Sequence, residues 1–316
     1  MKILFSVDNY DHGSGGAEKS AQTIARALAG RHHSVHVLQG GVGKRDYDDG
    51  PVRVHVRELP SPRFIRDRDR DTLYWNKKWR PILEKFLDEN PSDLIITQNR
   101  LLYGTVDVAQ KRGLPVVVFI RAFSMFCPTQ FQFSDPFTQC DHQCPECLPL
   151  RFRFKWSLIK KNLREYENGL RNATLIFVNS RYMQQVLYRF YDLTAEVVYP
   201  VIDRHKYKVD SQARTRVLFV KPQTIKGFSI FQKIAEQMPD TPFMVAGKIN
   251  RRARWRLQKL KNVACMGWVS DMRQAYAQSR IIIGPSIWPE PFGRVFVEAG
   301  LNSIPSVASA RGGIPE

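Results

Sequence analysis

The sequence predicts an α/β protein with two domains, each built on a parallel β-sheet. Short apolar runs rich in Val, Ile and Leu alternate with stretches of helical periodicity along most of the 316 residues. This alternation is typical of parallel strands covered by helices on both faces. There are eleven such runs, too many for one ordinary doubly wound sheet, and the chain exceeds the roughly 250–300 residues at which a single core stops growing.

The predicted elements fall into two series. The strands of the first series are 3–7, 35–39, 93–98, 115–120, 174–179 and 196–200, and those of the second are 216–220, 242–247, 262–267, 280–286 and 305–309. Helical periodicity covers 17–30, 76–89, 155–171, 181–190, 228–237, 270–278 and 294–302. We therefore expect two Rossmann-like domains, 1–200 and 201–316, joined near residues 200–208.

Composition indicates a globular protein, with 43% hydrophobic and 11% aromatic residues. No apolar run approaches the roughly 20 residues needed to span a bilayer. The opening MKILFSVDN has too short an apolar run for a signal peptide and is interpreted as a buried strand. These features predict a cytoplasmic protein.

The net charge of +18 favours an anionic partner: nucleic acid, an anionic membrane surface, or a substrate such as a nucleotide diphosphate. Basic and aromatic residues cluster at 74–80, 151–161 and 251–261, without a nucleic-acid-binding motif. If the second cluster is helical, Phe152, Trp156 and Ile159 share a face, which suits a membrane interface. A solvated helix docked on its own domain is the alternative.

The loop after the first strand is rich in glycine. Gly13, Gly15 and Gly16 precede a helix that starts near Ala17, and a helix N-terminus with small residues can accept an anion. A tight turn that needs positive φ is the alternative. The pattern is not G-x-G-x-x-G, so it predicts no NAD site.

The turn FVKPQTIKGF follows the first strand of the second series. Lys221 and Lys226 flank it, and Gly227 opens the next helix. Two ammonium groups at the carboxyl end of a strand would neutralise a diphosphate without a metal ion, whereas isolated surface lysines are the alternative.

The segment WPEPFGRVFVEAG contains two carboxylates with seven residues between them. Pro289 and Pro291 hold Glu290 in a rigid loop, and Gly293 precedes a helix that carries Glu298. The loop and helix positions argue against a glycosidase-like pair that flanks one bond. We expect the two carboxylates to contact different parts of one ligand; an exposed helix charge is the alternative for Glu298.

Several motifs in order resemble family 4 glycosyltransferases, which are retaining enzymes of the GT-B fold, with two Rossmann-like domains whose parallel sheets face a cleft. They are GSGGAEKSAQTIARAL, IFVNSRYMQQVL, VVYPVID, VLFVKPQTIKG, SDMRQAYAQSRIIIGPSIW, EPFGRVFVEAG and GIPE. The resemblance implies transfer of a sugar from a UDP- or GDP-linked donor to a glycan or lipid-linked acceptor, with no catalytic metal, at the cytoplasmic face of a membrane. It implies an acceptor-side first domain and a donor-side second domain.

The resemblance also implies roles for single residues. Glu290, with the backbone of Phe292 and Gly293, would contact the donor sugar, and Glu298 would bind the ribose hydroxyls. Lys226 and Lys221 would hold the diphosphate, so Glu290 and Lys226 are the candidate catalytic pair. Gly15 and Gly16 would approach the phosphates or the acceptor.

Two features depart from the family pattern. Arg121 stands where many members carry a histidine, and an arginine cannot act as a general base, although it could bind a phosphate or an acidic sugar. The chain ends at RGGIPE, where the family normally continues, so the second domain is expected to be C-terminally incomplete. A non-catalytic nucleotide- or carbohydrate-binding relative is therefore the alternative function, and a nucleic-acid-binding protein is favoured by charge alone.

Residues 121–150 break the strand and helix rhythm and hold four of the five cysteines. Cys127, Cys140, Cys144 and Cys147 follow the pattern C-x12-C-x3-C-x2-C. Four thiolates could hold a structural zinc ion or an iron–sulfur cluster; disulfides and free thiols are the alternatives. Cys265 lies in a predicted strand and is expected in the core.

Overall fold

The computed structural model describes residues 1–11, 15–59, 68–129, 144–148, 150–210 and 214–316. Among these residues the chain forms two compact units, residues 1–201 and Ile202–Glu316. In the described part of the chain, no helix combines the length and the apolar character needed to cross a bilayer.

The first unit alternates strands and helices around one sheet. Its elements are β1 (Lys2–Val7), α1 (Gly16–Ala29), β2 (Ser34–Gly41), β3 (Arg45–Asp49), β4 (Val52–Glu58), α2 (Arg68–Glu89), β5 (Leu94–Gln98), α3 (Leu102–Lys111), β6 (Val116–Ile120), α4 (Cys144–Cys147), α5 (Leu150–Arg153), α6 (Trp156–Arg171), β7 (Leu175–Val178), α7 (Arg181–Tyr191) and β8 (Glu196–Val197). The sheet order is β3-β4-β2-β1-β5-β6-β7-β8.

All neighbours in this sheet are parallel except β3, which pairs antiparallel with β4. Successive side chains of a strand point to opposite faces, and both faces are covered here. Ile3, Phe5 and Val7 of β1 pack on one face with Ala21 and Ala25 of α1. The other face of β1 meets α2, where the fully buried Trp79 donates its ring N–H to Ser6 Oγ at 2.8 Å.

The second unit is a smaller sheet of the same kind. Its elements are α8 (Arg204–Tyr207), β9 (Arg216–Val220), α9 (Phe228–Gln237), β10 (Phe243–Ala246), α10 (Arg251–Gln258), β11 (Val263–Gly267), α11 (Arg273–Tyr276), β12 (Ser279–Gly284), α12 (Arg294–Gly300) and β13 (Ser306–Ala308). The sheet order is β11-β10-β9-β12-β13, with every pair parallel. Leu218 and Phe219 point to opposite faces and anchor two separate core clusters.

The α/β class with two Rossmann-like sheets is confirmed, and the differences lie in individual elements. The hairpin of β3 and β4 was not predicted, nor were α3 and α10. The helix expected at 270–278 is shorter and spans Arg273–Tyr276. The expectation that Cys265 lies in the core is wrong: β11 is an edge strand of its sheet, and Cys265 is exposed.

Candidate functional site

Main-chain hydrogen bonds join the loops at the carboxyl edge of the second sheet. Because the five strands are parallel, their carboxyl ends meet at this edge, where open α/β sheets bind ligands. The main-chain N–H groups of Ile287 and Trp288 donate to Ile225 O at 3.1 and 3.2 Å, and Gly313 N donates to Glu290 O at 2.7 Å. These hydrogen bonds join the loops after β9, β12 and β13.

Lys226 and Glu290, from two of these loops, form an ion pair. Lys226 Nζ lies 2.8 Å from Glu290 Oε2, and the two side chains are only 16% and 10% exposed. Ser286 Oγ donates to Glu290 Oε1 at 2.6 Å, and the ammonium lies 4.6 Å from the centroid of the Trp288 ring. Both charged groups are therefore fixed in position before any ligand arrives.

Gly227 allows this pair to form. It follows the 3-10 turn Thr224–Lys226 and is the N-cap residue of α9, with φ of +81°. A Cβ at Gly227 would overlap the main-chain carbonyl of Pro285. Only glycine accepts both the positive φ and the close approach, so the turn after β9 can lie directly against the end of β12.

The electrostatics of Lys226 favour an added anion. Burial lowers the pKa of Lys226 from its usual 10.5, the Glu290 carboxylate opposes that effect, and Lys221 lowers the pKa further. The convergence of the two lysines on one diphosphate stays a prediction. An anion placed beside both ammonium groups would stabilise their charged forms.

Lys221 also lies at the carboxyl edge of the second sheet and is exposed. It directly follows β9 and has a positive φ of +56°, and its backbone N–H donates to Ala246 O at 2.8 Å. An open pocket of about 490 Å³ lies beside it. The pocket is lined by Pro222 and Thr224 from the turn after β9, and by Lys248 and Asn250 from the loop after β10.

Glu298 lies on α12 and is buried, so an exposed helix charge is excluded. Arg294 Nε donates to Glu298 Oε1 and Tyr276 OH donates to Glu298 Oε2, both at 2.7 Å. Burial and the Glu298 carboxylate raise the pKa of Tyr276, which keeps the phenol as a donor. The carboxylate still has lone pairs beyond these two bonds.

Phe292 and Gly293 connect the loop of Glu290 to the helix of Glu298. Gly293 has φ of +95° and lies directly before Arg294, the first residue of α12. Phe292 is half-buried. The sequence prediction of a loop followed by a helix is correct at this place.

The carboxyl edge of the first sheet carries a row of polar residues on the adjacent strands β1, β5, β6 and β7. Asp8 follows β1, Gln98 ends β5, Arg121 follows β6 and Asn179 follows β7. Arg121 Nε donates to Gln98 Oε1 at 2.9 Å, its guanidinium lies 4.5 Å from the centroid of the Phe119 ring, and Asn179 Nδ2 donates to Arg121 O at 3.4 Å. The arginine is thus part of a preformed polar row.

Three buried atoms in this row have no hydrogen-bond partner among the described residues: Asp8 Oδ1, Gln98 Nε2 and Asn179 Oδ1. Burial raises the pKa of Asp8 to about 6, although Arg100 opposes the shift. Unpaired buried polar atoms are costly and call for an explanation. Two acceptors and one donor at a sheet edge match a hydroxyl-bearing ligand.

Gly15 and Gly16 mark the start of α1. Gly15 is the N-cap residue and Gly16 is the first helical residue. A Cβ at Gly15 would overlap the Glu18 carboxylate, so a larger residue there would require the Glu18 side chain to move. Gly13 lies outside the described residues.

The cysteine prediction lies partly outside the described residues, since Cys140 falls there. Cys127 is buried, with Sγ 3.2 Å from Thr129 Oγ1. Cys144 and Cys147 are the end residues of α4. In the ranges that the structure describes, no three His, Cys, Asp or Glu side chains are grouped as for a metal ion. Structural metal binding by the four cysteines stays a prediction.

Sequence reasoning missed several residues of both edges. Ser286 positions Glu290, and Tyr276 and Arg294 position Glu298. Asp8 and Asn179 lie in the same polar row as Arg121. The polar residues that directly follow β1 and β7 were a usable signal, because ligands bind at strand ends. Arg294 precedes Glu298 by four residues, a spacing that brings side chains together on a helix, whereas the contact of Tyr276 with Glu298 depends on the fold.

Comparisons with known proteins agree with this architecture. A family model described as Glycosyltransferase Family 4 matches residues 14–206, and one described as Glycosyl transferases group 1 matches residues 219–316. An uncharacterised 42.6 kDa protein from the cps region of Klebsiella pneumoniae is 24% identical over 349 residues, covering 99% of this chain and 86% of its own.

Solved structures show the same fold. Sucrose-phosphate synthase from Thermosynechococcus elongatus matches with a TM-score of 0.73 at 16% identity, over 100% of this chain and 84% of its own. Anabaena HepE, solved in complex with UDP and glucose, matches with a TM-score of 0.68 at 21% identity, over 99% of this chain and 82% of its own. These likenesses confirm the expected GT-B class. Because the first family model matches well over half of the chain, the protein belongs to glycosyltransferase family 4.

Proposed function

We propose that this glycosyltransferase transfers a sugar from a nucleoside diphosphate sugar to a hydroxyl of a glycan or lipid-linked acceptor, and that the donor binds at the carboxyl edge of the second sheet. The observation that carries the proposal is the buried Lys226–Glu290 pair, with Lys221 beside it. Such a fixed arrangement of charge suits a donor that is anionic at the diphosphate and neutral at the sugar.

The diphosphate is assigned to the two lysines. Lys226 and Lys221 together would supply positive charge where the leaving group develops negative charge, and the ion pair with Glu290 fixes Lys226 before the reaction. This charge would do the work that a metal ion does in other transferases, so we propose a metal-independent reaction.

The sugar and the ribose are assigned to the two glutamates. Glu290 and the backbone of Phe292 and Gly293 would contact sugar hydroxyls from the loop after β12. Glu298 would accept hydrogen bonds from the ribose with its remaining lone pairs, and Arg294 and Tyr276 hold it in place for that contact.

The acceptor is assigned to the carboxyl edge of the first sheet. Its unpaired atoms, Asp8 Oδ1, Gln98 Nε2 and Asn179 Oδ1, fit hydroxyl groups that both donate and accept. Gly15 and Gly16 leave the start of α1 open to the acceptor or to phosphate. Arg121 adds a positive charge at this edge.

The proposed reaction retains the configuration at the anomeric carbon. The bond from that carbon to the diphosphate oxygen breaks while the bond to the acceptor oxygen forms on the same face. The proton of the acceptor hydroxyl passes to the leaving phosphate oxygen, so Arg121 need not act as a base. The lysines lower the barrier by stabilising the diphosphate as its charge grows.

The test is donor turnover by the full chain across a panel of nucleoside diphosphate sugars. UDP-glucose comes first, because HepE has been solved with UDP-glucose. Turnover should disappear in Lys226→Ala and Glu290→Ala and persist in Lys233→Ala, which removes an exposed lysine of α9 in the same unit. Release of nucleoside diphosphate that is unchanged in the first two variants would contradict the proposed site.

A non-catalytic relative is the second candidate, and Arg121 in place of the family histidine favours it. A thermal-shift screen of nucleoside diphosphates and their sugars separates the two functions. Stabilisation together with turnover supports the enzyme, stabilisation without turnover to any acceptor supports the binding protein, and no stabilisation contradicts both.

A further inference from the structure

One face of the second unit concentrates positive charge. Between residues 241 and 270 the chain has seven Lys and Arg residues and no Asp or Glu. They centre on α10 and its flanking loops. Ala253 and Leu257 are the buried residues of α10 and hold it against the sheet, so the remaining positions of the helix carry the charges outward.

Some cations of the same unit have a carboxylate partner. Arg273 pairs with Asp271 at 2.7 Å and Arg294 with Glu298 at 2.7 Å. In the described part of the chain, none of the seven forms an ion pair with a carboxylate. Among the described residues no carboxylate pairs with these seven charges to offset their mutual repulsion, and an external polyanion would offset it.

Two exposed tryptophans accompany the charges. Trp255 on α10 is 58% exposed and Trp268 after β11 is 53% exposed. Lys259 Nζ lies 3.6 Å from the centroid of the Trp255 ring, and Lys248 Nζ lies 5.2 Å from that of Trp268. Each indole thus keeps a cation against its face.

This pairing favours a lipid surface over nucleic acid. Single-stranded nucleic acid binds such proteins by stacking bases on open aromatic faces, and here an ammonium group lies against one face of each indole. An indole beside a cation suits the headgroup region of a bilayer, where tryptophan and basic residues concentrate. Clusters of four to eight Lys and Arg residues are typical of sites for anionic lipids.

We propose that the α10 face, defined here as Arg251, Arg252, Trp255 and Lys259 with Trp268, docks on an anionic lipid bilayer. The first four residues recur at helical spacings of three and four and share one side of α10. The face borders the pocket beside Lys221, since Lys248 and Asn250 line that pocket. Docking would hold the donor edge near the membrane surface. The proposal does not depend on the identity of the donor.

The test is flotation of the full chain with vesicles of two compositions. One is phosphatidylcholine alone and the other contains about one quarter phosphatidylglycerol, which gives the surface a negative potential. The wild type should float with the anionic vesicles only, and less so as salt rises. Because each basic residue near the surface contributes about fivefold in binding, Arg251→Gln with Arg252→Gln should weaken it about thirtyfold.

Trp255→Ala should also weaken binding to the anionic vesicles, and it should leave the dependence of that binding on salt unchanged. The matched control is Lys206→Gln with Lys233→Gln, which removes the same charge from α8 and α9 of the same unit; it should retain binding within a fewfold. Circular dichroism checks that each variant is folded. Three outcomes would overturn the proposal: equal binding to both vesicles, equal loss in the control pair, or binding to single-stranded DNA with no binding to either vesicle.

Discussion

Replacing Lys226 by methionine separates the structural role of the ion pair from its role in donor binding. The change keeps the apolar stem and removes the ammonium group 2.8 Å from Glu290 Oε2. Glu290 is then left as a buried carboxylate with Ser286 as its remaining side-chain partner, through a 2.6 Å hydrogen bond. Removing one partner of a buried ion pair costs about 3–5 kcal/mol.

We expect the lower end of that range, about 3 kcal/mol, because the Ser286 hydrogen bond persists. The double variant Lys226→Met with Glu290→Gln should lose only about 1 kcal/mol. Its neutral amide still accepts from Ser286, and replacing a buried ion pair by neutral groups is often nearly neutral. The lowered pKa of Lys226 supports this, since burial of the ammonium outweighs its attraction to Glu290.

The assay is urea-induced unfolding near neutral pH, followed by tryptophan fluorescence, for the wild type, the two single variants and the double variant. Lys233→Met is the matched control and should stay within about 0.5 kcal/mol of the wild type. The reasoning is refuted if the double variant is less stable than Lys226→Met, or if Lys226→Met matches the control.

Three further predictions concern other parts of the chain. Burial lowers the pKa of His36 and of His55, whose Nδ1 and Nε2 atoms lie 3.1 Å apart. Their contribution to stability should be full above pH 6.5 and should be lost as the pH falls through their lowered pKa values. His36→Gln should therefore flatten the slope of Tm against pH. Gly227→Ala should cost about 2 kcal/mol or more, measured by urea unfolding, because it combines a positive φ with overlap at a main-chain carbonyl; an unchanged midpoint would contradict the close approach. Tyr276→Phe should remove a buried hydrogen bond to Glu298, cost about 1–3 kcal/mol, and weaken donor affinity in calorimetry; unchanged affinity would remove Glu298 from the donor site.

The sequence predicts strands well and fully buried helices poorly. Continuous Val and Ile runs identify β6 and β12 because strands buried on both faces need apolar residues at every position. Helix α3 was missed because most of its residues are buried, from Leu102 to Ala109, which leaves no polar stripe to give a helical period. The β3–β4 hairpin was missed because RDYDD is a charged edge strand, whose pairing protects the sheet rather than filling a core.

Some residues of the candidate site could also be recognised from the sequence and others could not. Glu290, Lys226 and Glu298 were recognisable because prolines, glycine and strand ends fix their local conformation. The ion pair between Lys226 and Glu290 was not predictable, since it depends on how closely Gly227 approaches Pro285 across the sheet. The row of Asp8, Arg121 and Asn179 required the strand order, which places residues distant in the chain on neighbouring strands.

The double variant Lys226→Met with Glu290→Gln provides the most direct measurement of the central claim, that the carboxyl edge of the second sheet binds the donor. This variant is expected to fold, so a loss of donor binding would come from the change at the site and not from unfolding. Calorimetric titration with the nucleoside diphosphate that stabilises the wild type should give a binding isotherm for the wild type and for Lys233→Met, and none for the double variant. An isotherm for the double variant with unchanged affinity would contradict the claim.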